Sequence, residues 1–96
     1  MKMVTQVNEL IIRFDIRTEM ENSFQKILAT NSAEELDVEN RNISINSKNI
    51  AYSITESNFH RFQTPILDDD QVAIGYFALV VTNENEQIDE CFVINR

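Results

Sequence analysis

The chain has 96 residues, enough for one domain with a modest core, and its 16 acidic and 8 basic residues give a formal net charge of -8. A single cysteine permits no internal disulfide, which excludes a disulfide-stapled secreted module. The acid excess disfavours direct nucleic-acid binding, because phosphates attract clustered lysine and arginine. A lone glycine cannot build the glycine-rich loop that cradles phosphates.

Hydropathy argues against a membrane or secretory segment. Residues 1–9 lack the apolar run of a secretory signal, and the longest apolar run, 72–81, is too short for a bilayer, which needs about 20 residues. We therefore expect a cytoplasmic protein of bacterial or phage origin that makes no membrane contact.

The first elements predicted are a strand and a helix. Residues 7–17 alternate apolar and mostly charged side chains, which is typical of a half-buried strand. Thr18 and Glu21 have the spacing of a capping box, and Asn31 suits a left-handed C-terminal cap. Between them, one apolar stripe predicts a helix at about 19–30; it consists of Met20, Phe24, Ile27 and Leu28.

The remaining chain predicts mostly strands. Residues 31–42 are polar and read as a connection with a short turn, whereas 43–54 contain two alternating runs around Asn46-Ser47-Lys48-Asn49, which predicts a β-hairpin. Residues 56–70 fit neither period, and Pro65 argues against a central strand there.

The C-terminal third predicts the centre of the sheet. The nearly continuous apolar run 72–82 is typical of a central strand buried on both faces, and 88–94 alternate as the second strand of a closing hairpin. We expect a single α+β domain over 1–96 in the order β-α-β-β-β-β, with one amphipathic helix packed on a mainly antiparallel sheet of about five strands.

No catalytic, cofactor or metal site emerges from the residue types. His60 is expected to be a surface or packing residue, and Cys91 a small buried hydrophobe, because Asp89 and Glu90 beside it oppose thiolate formation. One cysteine and one histidine fall short of a zinc ligand set. The run Asp68–Asp70 is expected to be a solvated loop or a partner contact and not a Ca²⁺ or Mg²⁺ site, since three adjacent acids converge on one ion only with a special backbone.

The charge distribution is the most informative feature. Residues 1–33 contain equal numbers of acids and bases, so 34–96 carry the entire net charge of -8. The acids there cluster in predicted connections, where we expect them to form a partner-binding surface: Glu34, Glu35, Asp37 and Glu39; then Asp68, Asp69 and Asp70; then Glu84 and Glu86, followed by Asp89 and Glu90. If these loops converge, their field attracts a basic protein; the alternative is that the acidic groups serve solubility alone.

Three functions follow as hypotheses. The first is a non-catalytic inhibitor, of the type of toxin immunity proteins or phage anti-defence proteins, which masks the basic surface of a nuclease or another nucleic-acid-binding effector. The alternative is a homo-oligomeric structural module, in which the strands at 72–82 and 88–94 pair with a second copy. The third is a small enzyme that uses His60 with a carboxylate of the nearby Asp68–Asp70 run.

Overall fold

In a computed structural model, which describes residues 2–39 and 42–95, three helices precede five strands. The elements are α1 (Lys2–Arg13), α2 (Ile16–Thr30), α3 (Ala33–Leu36), β1 (Ser44–Ile45), β2 (Ala51–Ile54), β3 (His60–Leu67), β4 (Ala73–Val81) and β5 (Gln87–Ile94). The predicted α+β class, with helical packing on an antiparallel five-stranded sheet, is confirmed. The predicted first strand is wrong, so the order of elements differs.

Residues 7–17 form the end of α1 and the start of α2 instead of a strand. Ile11 and Phe14 are buried, whereas Ile12 between them is 74% exposed, as a helical repeat requires. The apolar residues fit both a period of two and a helical period over this short run, and packing of α1 against α2 decides between them. The helices separate at Asp15, whose backbone is left-handed with φ 51°.

The helix expected at 19–30 is confirmed as part of α2, which buries Met20, Phe24 and Leu28 on one stripe. It begins at Ile16, so Thr18 lies inside the helix and does not cap it. Asn31 has an extended backbone with φ -130°, in contrast to the predicted left-handed cap.

The only helix with a capping box in the described chain is the short α3, which falls in the predicted connection. The Ser32 hydroxyl accepts from the Glu35 amide at 3.2 Å, and the Ser32 amide donates to the Glu35 carboxylate at 2.8 Å. These reciprocal bonds satisfy amides that the helix leaves without partners. The capping pattern that sequence analysis placed at Thr18 is therefore found one helix later.

The hairpin predicted at 43–54 is wrong, because β1 and β2 both pair with β3. Ile45 lies opposite Ile66, and Ala51 lies opposite Gln63, so β1 and β2 are two segments of one edge strand. Residues 46–50 loop out between them. The fully buried Thr64 donates its hydroxyl hydrogen to the Asn46 carbonyl, which anchors the start of this loop to β3.

The segment predicted as irregular, 56–70, contains β3, which lies between the interrupted edge strand and β4. Pro65 is accommodated because the edge strand is interrupted beside it. Its carbonyl accepts from the Asn46 amide at 3.3 Å, so the side of Pro65 that lacks an N–H faces the looped-out segment. A proline in a central strand is tolerated where the neighbouring strand requires no donor.

The predicted hairpin of β4 and β5 is confirmed, with β4 in the centre of the sheet. Phe24 of α2 packs on this hairpin: its ring centroid is 5.7 Å from that of Phe77 and 6.0 Å from that of Phe92. Gly75 allows close pairing, since a Cβ there would lie 1.9 Å from the Val93 carbonyl oxygen.

Candidate functional site

Two of the three predicted acidic groups meet in one groove of about 570 Å³. Asp37 and Glu39 follow α3 and lie on one side, while the turn between β3 and β4 contributes Asp68–Asp70. The groove's apolar lining comes from residues that sequence analysis did not select: Val38, Ile43, Ile74 and Ile94. No sequence signal identifies these four residues, because an apolar residue at the margin of the core has the same sequence pattern whether its side chain is covered or lines a groove.

The described lining of this acidic groove contains five carboxylates and no basic side chain. Arg41 and Arg96, which adjoin the lining in sequence, lie outside the described residues. Mutual repulsion of clustered carboxylates is relieved when a cation binds among them. The groove therefore presents an acidic rim beside an apolar surface.

We expected three adjacent acids to converge only on a special backbone, and the turn between β3 and β4 has one. One oxygen of Asp68 accepts from the amides of Asp70 and Val72, each at 2.9 Å, and Gln71 is left-handed with φ 64°. Carboxylate oxygens of all three aspartates lie within 4.8 Å of one another. Asp69 and Asp70 are exposed, so the turn concentrates negative charge at the solvent boundary.

The third acidic group lies elsewhere. Glu84 and Glu86 are in the turn between β4 and β5, where both amides donate to the Thr82 hydroxyl, at 3.2 and 3.1 Å. Antiparallel pairing puts this turn at the opposite end of the nine-residue β4, about 30 Å from the turn of Asp68–Asp70.

Glu34 and Glu35 also lie outside the groove lining. Both are exposed on α3, and the Glu35 carboxylate is engaged by the Ser32 amide. Of the predicted partner-binding residues, the structure thus brings together Asp37, Glu39 and the three consecutive aspartates. The other six lie outside the groove lining: Glu34, Glu35, Glu84 and Glu86, and Asp89 and Glu90 of β5.

His60 lies at the start of β3 and has partners for both ring nitrogens. The Tyr52 hydroxyl is 2.7 Å from Nδ1, and the Asn83 side-chain oxygen is 2.6 Å from Nε2. Each ring nitrogen of His60 therefore has one hydrogen-bond partner. The Asp68–Asp70 run follows the other end of the eight-residue β3, about 25 Å away, so the carboxylate partner considered from sequence is not adjacent.

Tyr52 and His60 border a second groove, of about 420 Å³, which Val7, Leu10 and Ile54 make mainly apolar. Burial raises the pKa of the Tyr52 hydroxyl above 10.0, because desolvation penalises the phenolate. The ring of Phe14 packs edge-on against His60 at 6.1 Å. These contacts give the imidazole a packing role between Phe14, in the link from α1 to α2, and the sheet.

Cys91 is a free, half-buried thiol on β5, opposite Ala78 of β4. No helix among the described residues combines the length and apolar character needed to cross a bilayer. Comparison of the chain with protein-family profiles, with curated proteins and with solved structures gives no match.

Proposed function

We propose that this chain is a small, acidic, non-catalytic cytoplasmic protein that binds a basic surface of another protein and masks it. The observation that carries the proposal is the acidic groove, in which the carboxylates of Asp37, Glu39 and Asp68–Asp70 adjoin apolar side chains. Unlike a solvated charged loop, this groove offers a basic partner both carboxylates to pair with and an apolar surface to bury.

Lysine and arginine are the side chains that match such a groove. Each has an aliphatic stem, which packs on an apolar surface, and a cationic head, which stays near water. In our proposal the stems lie over Ile43 and Ile74, and the heads reach the carboxylates on the rim. Arginine fits best, since its planar guanidinium forms paired hydrogen bonds with a carboxylate.

The partner that we propose is the nucleic-acid-binding face of a nuclease or a similar effector. Such faces are rich in lysine and arginine because they neutralise phosphates. An acidic protein on that face competes directly with nucleic acid, and the net charge of -8 accelerates its encounter with the effector. A toxin immunity protein or a phage anti-defence protein is the biological role that this chemistry supports.

The test is a titration of the isotopically labelled protein with a peptide of alternating arginine and leucine, followed by amide chemical shifts. We expect shifts at residues 37–39 and 68–74, and none at the turn of 82–86. The variant Asp69→Asn/Asp70→Asn removes two charges from the groove, and Glu84→Gln/Glu86→Gln removes two from the far turn.

The two variants separate a groove from a general attraction. The groove variant is expected to weaken peptide binding by about tenfold, because two charge pairs of roughly 0.7 kcal/mol each are lost. The far-turn variant is expected to change the affinity by less than about twofold. Equal losses in the two variants, or shifts at both ends of β4, would mean that binding reflects net charge alone, and the proposal would be wrong.

A further inference from the structure

One side of β5 has no partner strand in the described chain. This strand pairs with β4 alone, so it forms an edge of the sheet. The Asn95 amide donates to the Ile74 carbonyl of β4 at 2.8 Å, and the Val93 carbonyl oxygen also faces β4, since it lies next to Gly75. Backbone groups of alternate residues point to the same side of a strand. The intervening residues of β5 therefore direct their amides and carbonyls away from the sheet: Glu90, Phe92 and Ile94.

This outer edge is closed at Glu90 and open at Phe92 and Ile94. The Asp89 carboxylate accepts from the outward amide of Glu90 at 2.9 Å, so a side chain of the strand itself occupies that donor. No hydrogen bond from the rest of the described chain engages the outward groups of Phe92 and Ile94. We call the four backbone groups of these two residues the open edge. Unpaired backbone groups at the edge of a sheet are a template for another extended strand.

The open edge adjoins the acidic groove, because Ile94 lines that groove. Phe92 and Glu90 pair with buried residues of β4, so their side chains share the helix-covered face of the sheet with that of Ile94. A strand added beside β5 places alternate side chains about 5 Å from these three. A long side chain opposite Ile94 therefore reaches into the acidic groove, and one opposite Glu90 faces an exposed carboxylate.

The charge along β5 decides what kind of strand fits. Residues 84–94 contain four acids and no base, and five further carboxylates line the groove beside Ile94. A second copy of β5 is repelled, because antiparallel pairing centred on Phe92 sets Glu90 of each copy opposite Ile94 of the other, next to its acidic groove. A strand with bases opposite Ile94 and Glu90 meets the opposite charge at both positions, and an apolar residue between them covers Phe92.

We propose that an extended basic segment of the partner adds to the sheet as an antiparallel strand beside β5. Its pattern is base-x-apolar-x-base, in which x is any residue and the first base enters the acidic groove. Main-chain hydrogen bonds to the open edge hold the segment, and the alternate side chains make the recognition specific. This inference rests on the function proposed above, and it names the way in which the basic partner is recognised.

Backbone methylation of a short basic segment tests the proposal. The segment is the capped peptide Ser-Arg-Ser-Leu-Ser-Arg-Ser, titrated into the isotopically labelled protein. In the proposed pairing the leucine N–H donates to the Phe92 carbonyl, whereas the N–H of the next serine points to solvent. N-methylation of the leucine should weaken binding by about tenfold or more, because it removes a donor and puts a methyl group against β5. The matched control, N-methylation of that serine, should change the affinity by less than about twofold.

Two measurements on the protein test the same geometry. At saturating peptide the amides of Phe92 and Ile94 should exchange about tenfold or more slowly, whereas those of Cys91 and Val93 already bond to β4 and should change less. Ile94→Pro removes an outward donor and leaves the bonds to β4 intact, whereas Ile94→Ala shortens the side chain and keeps the donor. The proline variant should bind the unmethylated peptide about tenfold more weakly than the alanine variant.

The outcomes separate strand addition from the function on which it rests. If the two methylated peptides bind equally well, with shifts still at residues 37–39 and 68–74, the groove binds its partner without strand addition and the inference is overturned. If no form of the peptide binds, the function proposed for the groove is overturned as well.

Discussion

Thr64 gives a sharp test of how the sheet accommodates its interrupted edge strand. This side chain is fully buried, and its hydroxyl donates to the carbonyl of Asn46, the residue at which the edge strand leaves the sheet. Thr64→Val keeps the branched shape of the side chain and removes the donor. The change therefore deletes one hydrogen bond and leaves the Asn46 carbonyl without that partner.

The expected cost follows from these two consequences. A net intramolecular hydrogen bond contributes about 1 kcal/mol, and an acceptor left without a partner adds up to about 1 kcal/mol when water reaches it only in part. We expect Thr64→Val to lower the free energy of unfolding by about 1–2 kcal/mol. With an m-value of about 1.5 kcal/mol/M for a chain of this size, the urea midpoint falls by about 1 M.

Urea unfolding followed by circular dichroism measures the loss, and amide hydrogen exchange shows where it arises. The Asn46 amide donates to the Pro65 carbonyl beside Thr64, so its protection should fall in Thr64→Val. Thr64→Ser retains the donor and should preserve that protection, although the lost methyl group lowers overall stability. If Thr64→Val keeps both the midpoint and the protection of Asn46, the hydroxyl does not hold the loop and our explanation of the interrupted strand is refuted.

Two further predictions concern the close strand pair at Gly75 and the half-buried phenol of Tyr52. Gly75→Ala should destabilise the fold by about 3 kcal/mol or more, because the new Cβ would meet the Val93 carbonyl oxygen at 1.9 Å and only a shift of the backbone relieves this contact. Thermal unfolding measures the loss, and a midpoint equal to that of the parent would contradict this prediction. The raised pKa of Tyr52 means that the folded state holds the phenol proton more tightly than the unfolded chain. The resulting contribution to the free energy of unfolding is complete below pH 10.0 and is lost as pH rises through the folded-state pKa. Unfolding free energies measured between about pH 9 and about pH 11 should fall more steeply in the parent than in Tyr52→Phe, and parallel curves would count against this reasoning.

Local sequence patterns predicted the elements whose burial was unambiguous. The stripe from Met20 to Leu28 fits only a helix, and the apolar run that contains β4 is too hydrophobic for any place but the centre of the sheet. The β4–β5 hairpin followed from a second alternating run close behind. In each case, one face of the element had to be removed from water whatever the rest of the chain did.

Patterns that fit two structures were decided by distant contacts. Residues 7–17 suit a strand or a helix, and packing of α1 against α2 selected the helix. The runs around residues 46–49 suit a hairpin, but alternation indicates only which face is buried and not which strand is the neighbour. Because both runs pair with β3, the residues between them form a loop instead of the expected hairpin turn. That loop leaves room for Pro65 in the neighbouring strand.

The candidate site shows the same division. The sequence alone determined that the negative charge belongs to residues 34–96 and that it clusters in connections between elements. Only the tertiary structure decided which clusters are neighbours: the antiparallel order brings Asp37 and Glu39 to the turn of Asp68–Asp70 and sends Glu84 and Glu86 to the other end of β4. The physical reason is that charge and hydropathy are properties of each residue, whereas proximity depends on the path of the chain through the whole sheet.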